Sequence, residues 1–187
     1  RDEGKVVTSK DAGKDRSFST LSSKREIVKY FHSCERELTA MVFHWSGHYS
    51  NAFNVGAKEF ANEYAILGKT EAPYHLIIKK NGEIQTGASI HKETSHTYSE
   101  FRPRSIGVAF IGGYNESKPT DGSEGVLTAL SITQSQKESA KRLMGAWYSA
   151  FPGGDIFGHR DLTNNGDQSP GIDVVTSVWN YFKKIKI

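Results

Sequence analysis

Cysteine is almost missing from this chain. Cys34 is the only one in 187 residues, which excludes an intrachain disulfide and a zinc site built on two or more thiolates. Long apolar runs are also lacking: none approaches the roughly twenty residues that cross a bilayer, so no membrane insertion is expected. The opening RDEGKVVTSKDAGKDRS is charged where a secretory leader would carry an apolar stretch. Nor is there an excess of one charge. The net charge is +3, and Lys and Arg are scattered among acids rather than gathered into a stripe, which gives nucleic-acid binding no support. Such a weakly basic surface is compatible with an anionic polymer. Three further absences narrow the chemistry: no GxSxG elbow for a serine hydrolase, no phosphate-cradling glycine loop opening a helix, and no internal repeat.

What remains is the composition of one soluble globular domain, 36% hydrophobic and 24% charged. Residues 1–20 have little to bury and read as a polar tail or linker. In residues 21–37, Ser22 and Ser23 can cap a helix through KREIVKYFHSCE, with Ile27, Tyr30 and Phe31 at helical spacing. This forms an N-terminal extension packed on the domain of residues 38–187, and one available for docking on a larger assembly. Cys34 falls on this amphipathic stretch, where a small buried hydrophobe is the ordinary reading.

LTAMVFHW, residues 38–45, reads as a buried strand that carries His44 near its C-terminal end. A helix from Asn54 buries Val55, Phe60 and Tyr64 and stops at Gly68. YHLIIKKNGEIQTG, residues 74–87, predicts two strands around a tight Asn81-Gly82 turn with positive φ values. SIGVAFIGG, residues 105–113, predicts another buried strand, followed by the polar loop NESKPTDGSEG. Thr133 and Gln136 form a capping-box pattern ahead of a long helix with Leu143, Ala146, Trp147, Ala150 and Phe151 on one side. DIFGH, residues 155–159, predicts a short strand delivering His159, and IDVVTSVWNYFKKI a C-terminal helix. Alternating strands and helices make the fold class α/β, a mixed central β-sheet flanked by helices with the site along one sheet edge or face.

A lone histidine at a strand end is more often a hydrogen-bonded structural residue than a ligand. The ordered set VFHWS, NVGAKEF, PYHLIIKKNGEIQTG, SHT, RSIGVAFIGG, GHRD and SPGID is more specific. Across residues 38–182 it resembles the zinc-dependent N-acetylmuramoyl-L-alanine amidases, shared by phage endolysins, bacterial amidases and peptidoglycan recognition proteins. The resemblance implies an amidase or peptidoglycan-recognition-like fold, peptidoglycan as partner, zinc as cofactor, and action at the bacterial cell wall. Its reaction would cleave the amide between N-acetylmuramic acid and L-alanine.

The family's two histidine ligands fall on His44 and His159, and its tyrosine, which hydrogen-bonds the metal-bound water or the oxyanion, falls on Tyr74. His75 reads as structural and His96 as a cleft wall or substrate contact, while His32, His48 and His91 match nothing. Trp45, Tyr49 and Phe53 are candidates to stack on sugars, and Arg102 and Arg104 to pair with carboxylates. The third ligand, a cysteine or aspartate before Pro-Gly in the family, is Ser169 here. Two residues earlier, where many catalytic members carry lysine, stands Asp167. A serine hydroxyl brings no charge and is a poor zinc ligand. Three readings stay open. Asp167 supplies the third ligand of an active enzyme, with Asp161 supporting the loop; or the site is catalytically impaired and serves as a peptidoglycan-recognition module in a phage tail or other wall-engaging assembly; or Ser169 replaces a native ligand by deliberate substitution.

Overall fold

A computed structural model of the chain describes residues 18–115, 117–123 and 125–172. Most of the polar tail and the expected C-terminal helix lie outside the described residues. Eight regular elements follow in order: α1 (Lys24–His32), β1 (Ala40–Trp45), α2 (Ala57–Ile66), β2 (Leu76–Ile78), β3 (Ile84–Thr86), β4 (Ser105–Phe110), α3 (Gln134–Ala150) and β5 (Asp155–Gly158). The strands form one sheet in the order β3-β2-β4-β1-β5, antiparallel between β2 and β3 and parallel elsewhere. The expected mixed sheet flanked by helices is what the chain adopts. No helix among the described residues is long and apolar enough to cross a membrane.

The two faces of the sheet differ in side-chain size because strand residues alternate. Met41 and Phe43 of β1, Leu76 and Ile78 of β2, and Ile106, Val108 and Phe110 of β4 join the larger core, which α1 and α3 close with Ile27, Phe31, Leu143 and Trp147. Phe31 meets the Trp147 indole edge-on at 5.4 Å. The extension helix is thus part of this core, with Ile27 and Phe31 fully buried. On the opposite face β4 presents Ser105, Gly107 and Ala109. There α2 covers only part of the sheet, packing Ala57 and Phe60 on Ile77, Ala109 and Ile111. The small residues leave a shallow floor beside α2.

Local signals account for most boundaries. Ser23 caps α1: its Oγ accepts from Glu26 N at 3.1 Å, and Glu26 Oε2 accepts from Ser23 N at 3.2 Å. Thr133 and Gln136 cap α3 in the same way, and the Gln136 amide reaches further, donating to the carbonyls of Ile78 and Ile111. Helix α2 begins at Ala57 rather than Asn54, because Glu59 Oε2 accepts the Gly56 N–H and Gln85 Oε1 accepts the Ala57 N–H, which fixes the first turn there. Gly68, with φ +76°, ends it as expected.

The hairpin turn is wider than a two-residue one. Asn81 keeps negative φ and only Gly82 is left-handed, at +89°, in a turn closed by Gly82 N donating to Lys79 O at 2.8 Å. Lys80 is drawn inward there: it is buried, its ammonium donates to Ser131 O, and burial lowers its pKa to about 8. Ser19 and Thr20, counted with the tail by composition, run along the outer edge of β3; Ser19 O accepts from Thr86 N and Leu21 N donates to Ile84 O.

His75 is a structural histidine. Its Nδ1 accepts the Gly107 N–H at 3.0 Å, and Nε2 donates to Lys92 O at 2.8 Å. Burial, aided by the Arg36 charge, lowers its pKa from 6.5 to about 4. A folded value below the unfolded one means that unfolding takes up a proton between the two. The stabilising contribution is therefore complete above about pH 6.5 and disappears as the pH falls toward 4. Urea midpoints should decline across that window, and His75→Gln, which has no proton to take up there, should flatten part of the slope.

Candidate functional site

Strand pairing brings the two predicted histidine ligands together. Phe43 of β1 faces Gly158 of β5 in the parallel register, so the next residues, His44 and His159, lie side by side, with ring centroids 4.7 Å apart and planes at 38°. His44 is buried on the small-residue face, opposite Ala109 in the β1–β4 register. His159 opens a 3₁₀ turn, His159–Leu162. Asp161 holds that turn by accepting the Gly158 N–H on Oδ2 at 2.7 Å, the loop-supporting role expected of the GHRD aspartate.

Tyr74 reaches the same point from the residues before β2. Its ring is 5.2 Å from His44 and stacks on Phe60 of α2 at 5.8 Å. Burial first, then Tyr64 and the Asp167 carboxylate, raise its pKa above the ordinary phenol value, so the hydroxyl remains a donor at neutral pH. Burial, followed by His96 and His159, holds His44 well below its ordinary 6.5. His44 is thus uncharged at neutral pH, the form in which imidazole accepts a proton or binds a metal.

Asp167 and Ser169 take different positions. Asp167 Oδ2 lies 3.1 Å from His159 Nδ1, while its Oδ1 accepts the Ser169 N–H at 2.8 Å. Ser169 is buried, and its Oγ accepts the Trp45 N–H at 3.0 Å. The charged oxygen is therefore the one beside the histidine pair, whereas the serine hydroxyl is engaged with the end of β1. A neutral imidazole, a second imidazole and an adjoining carboxylate have the donor chemistry of a tetrahedral zinc site with an open position. The donors are neighbours rather than a formed cage: among the described residues no three His, Cys, Asp or Glu groups stand arranged to hold a metal ion.

His96 crosses β4 beneath His44. It is buried, its Nδ1 is 3.0 Å from His44 Nε2, and its Nε2 is 3.0 Å from Ser105 Oγ. Burial chiefly, with His75 and His159, lowers its pKa to about 3. Tyr98, half-exposed and 6.0 Å from the His159 ring, is a cleft residue that sequence reasoning missed; its place directly after SHT was the available signal. Ser105 was also missed, since nothing marks a serine in an apolar strand as a histidine partner. Three of the outlying candidates are engaged elsewhere. Tyr49 stacks on Tyr114 at 4.9 Å, Arg102 Nε donates to Thr97 O, and Arg104 pairs with Glu37 at the surface. Phe53 is exposed, and the indole of Trp45 lies against Gly171.

An α/β sheet carrying a histidine-centred cleft on its small-residue face is the class of protein that the geometry defines. Residues 35–172 match the family described as N-acetylmuramoyl-L-alanine amidase, and the chain belongs to that family. The endolysin of Escherichia phage T7 is 24% identical over 128 residues, covering 68% of this chain and 79% of the endolysin. Among solved structures, the endolysin amidase LysCS from Clostridium intestinale has the same fold, with a TM-score of 0.58, 18% identity, and coverage of 91% of this chain and 93% of that one. A human peptidoglycan recognition protein, PGRP-IβC, solved with a glycosamyl muramyl pentapeptide, also has a TM-score of 0.58, at 15% identity over 79% of this chain and 88% of that one.

The floor of the cleft depends on Gly107. A Cβ there would lie 2.6 Å from His96 Cγ, closer than packed carbons come, and the ring has no room to retreat because both its nitrogens are bound. Gly107→Ala should destabilise the fold by about 1–3 kcal/mol, the usual range for overpacking a filled core, as read from the urea midpoint.

Proposed function

We propose that this chain is a peptidoglycan hydrolase that cleaves the amide between the lactyl group of N-acetylmuramic acid and L-alanine. The observation that carries the reading is the Asp167 carboxylate 3.1 Å from His159 Nδ1, beside the buried His44. It supplies the charged oxygen that Ser169 lacks, in a site whose two histidines stand where the family's ligands fall. His44, His159 and Asp167 would hold one zinc ion. Zinc in such an open site acidifies a bound water toward neutral pKa and polarises the scissile carbonyl.

The remaining chemistry belongs to the chain. Tyr74 is protonated at neutral pH, as a phenol ordinarily is, and burial raises its pKa further. It can therefore donate to the carbonyl oxygen as negative charge builds there, without a proton being moved first. Phe60 orients the phenol by stacking on it. Tyr98 and His159, with centroids 6.0 Å apart, line the approach for the stem peptide. The muramyl peptide held by the human recognition protein supports peptidoglycan as the partner.

Ser169 favours a second reading. With a serine bound to the Trp45 amide in the position of the family's third ligand, the module would bind peptidoglycan without cutting it, as recognition proteins with serine at that place do.

Chelation, zinc reloading and a muropeptide-release assay separate the two. The enzyme reading expects stoichiometric zinc and release of stem peptides with a free L-alanine amino group by the wild-type chain. Asp167→Asn should lose the metal, while Tyr74→Phe should keep it and lose about 10²–10³-fold in kcat, the size of effect seen on removing one oxyanion donor. If Ser169→Cys alone gains metal and activity, while both forms are retained on purified sacculi, the enzyme reading fails and the binding module stands.

A further inference from the structure

Three buried groups form a chain beneath the candidate site: His44 Nε2 to His96 Nδ1 at 3.0 Å, then His96 Nε2 to Ser105 Oγ at 3.0 Å. Ser105 is fully buried and His96 is 5% exposed. Both nitrogens of His96 are engaged within the protein, so neither is left to meet a substrate. Gly107 is what lets the ring lie flat on β4. An imidazole sunk this deep, between a candidate ligand and a strand hydroxyl, acts on its neighbour.

We infer that His96, backed by Ser105, is a positioning residue that holds His44 as its Nε2–H tautomer and leaves Nδ1 with a free lone pair. The chain of hydrogen bonds can run in two senses. In one, His44 Nε2–H donates to His96 Nδ1 and His96 Nε2–H donates to Ser105 Oγ. In the other, Ser105 donates to His96 Nε2, His96 Nδ1–H donates to His44 Nε2, and His44 Nδ1 carries the hydrogen. Only the first leaves His44 a nitrogen able to accept or to ligate. Ligand histidines commonly give their second N–H to an outer acceptor that fixes tautomer and ring angle. Here a neutral imidazole fills the place usually taken by a carboxylate or a backbone carbonyl. The inference rests on the amidase reading only for the identity of the ion that the lone pair would serve.

The tautomer is read without metal, from long-range ¹H–¹⁵N correlation spectra of the full chain, with His44 assigned by substitution. The expected result is Nε2-protonated His44 in the wild type, kept in His96→Asn, whose side-chain oxygen can accept near the Nδ1 position, and converted to a mixture in His96→Ala and in Ser105→Ala. Zinc titration against a competing chelator should then show a dissociation constant about tenfold to a hundredfold weaker in His96→Ala and close to wild type in His96→Asn. Circular dichroism melts check that each variant is folded; if His96→Ala is not, His96→Asn and Ser105→Ala carry the comparison. Nδ1-protonated His44 in the wild type would overturn the inference, as would a tautomer unchanged by loss of either partner. A wild-type chain that binds no zinc would instead sink the amidase reading, and the metal-free spectra would still decide the role of His96.

Discussion

Strand β1 pairs in parallel on both sides, with β4 and with β5, and the geometry of the cleft follows from those two registers. Pairing with β5 sets His44 beside His159 although 115 residues separate them in the chain. Pairing with β4 sets Ala40, Val42 and His44 opposite Ser105, Gly107 and Ala109, residues small enough to leave room for the rings of His96, Tyr74 and His159 around the imidazole. A slip of β1 by one residue would turn His44 into the apolar core of α1 and α3, because alternate strand residues face opposite ways. The hydrophobic contacts on that other face resist such a shift, so the packing of Met41 and Phe43 holds the chemistry of His44 in place.

Much of this was legible in the sequence, for identifiable reasons. Capping residues act within a single turn: Thr133 and Gln136 form the predicted box, and Ser23, an expected cap, forms one with Glu26 as well. The apolar run before His44 and the short run before His159 are strands because those side chains have large apolar surface to bury. Less could be read where the deciding partner is remote. The start of α2 depends on Gln85, and the inward turn of Lys80 is met by the carbonyl of Ser131, fifty-one residues away. The contact of Asp167 with His159 depends on a loop that folds back through Ser169 O and Arg160 N. These are tertiary contacts with no periodic or compositional trace, and the same is true of Ser105 beneath His96.

Electrostatics give the cleft a consistent character. Burial keeps the imidazoles of His44, His75 and His96 neutral and lifts the phenol pKa of Tyr74 further above neutrality, so these groups offer lone pairs and a hydroxyl donor without added charge. The anion among the predicted site residues is Asp167, held by its own loop at the edge of that neutral interior. In the proposed enzyme it matters more than its half-exposed position suggests: an anion 3.1 Å from one of the two histidines adds the charge that draws a cation to the pair.

The segment Ser19–Leu21 lies along the free side of β3 and occupies that strand's outward N–H and C=O groups at Thr86 and Ile84. An open sheet edge is a template on which a second chain can add its own strand, and proteins commonly cover such edges. A segment that buries only Leu21 thus keeps the sheet from growing outward, and the length of chain that can be removed from the front of the domain is set by self-association as well as by the stability of the fold.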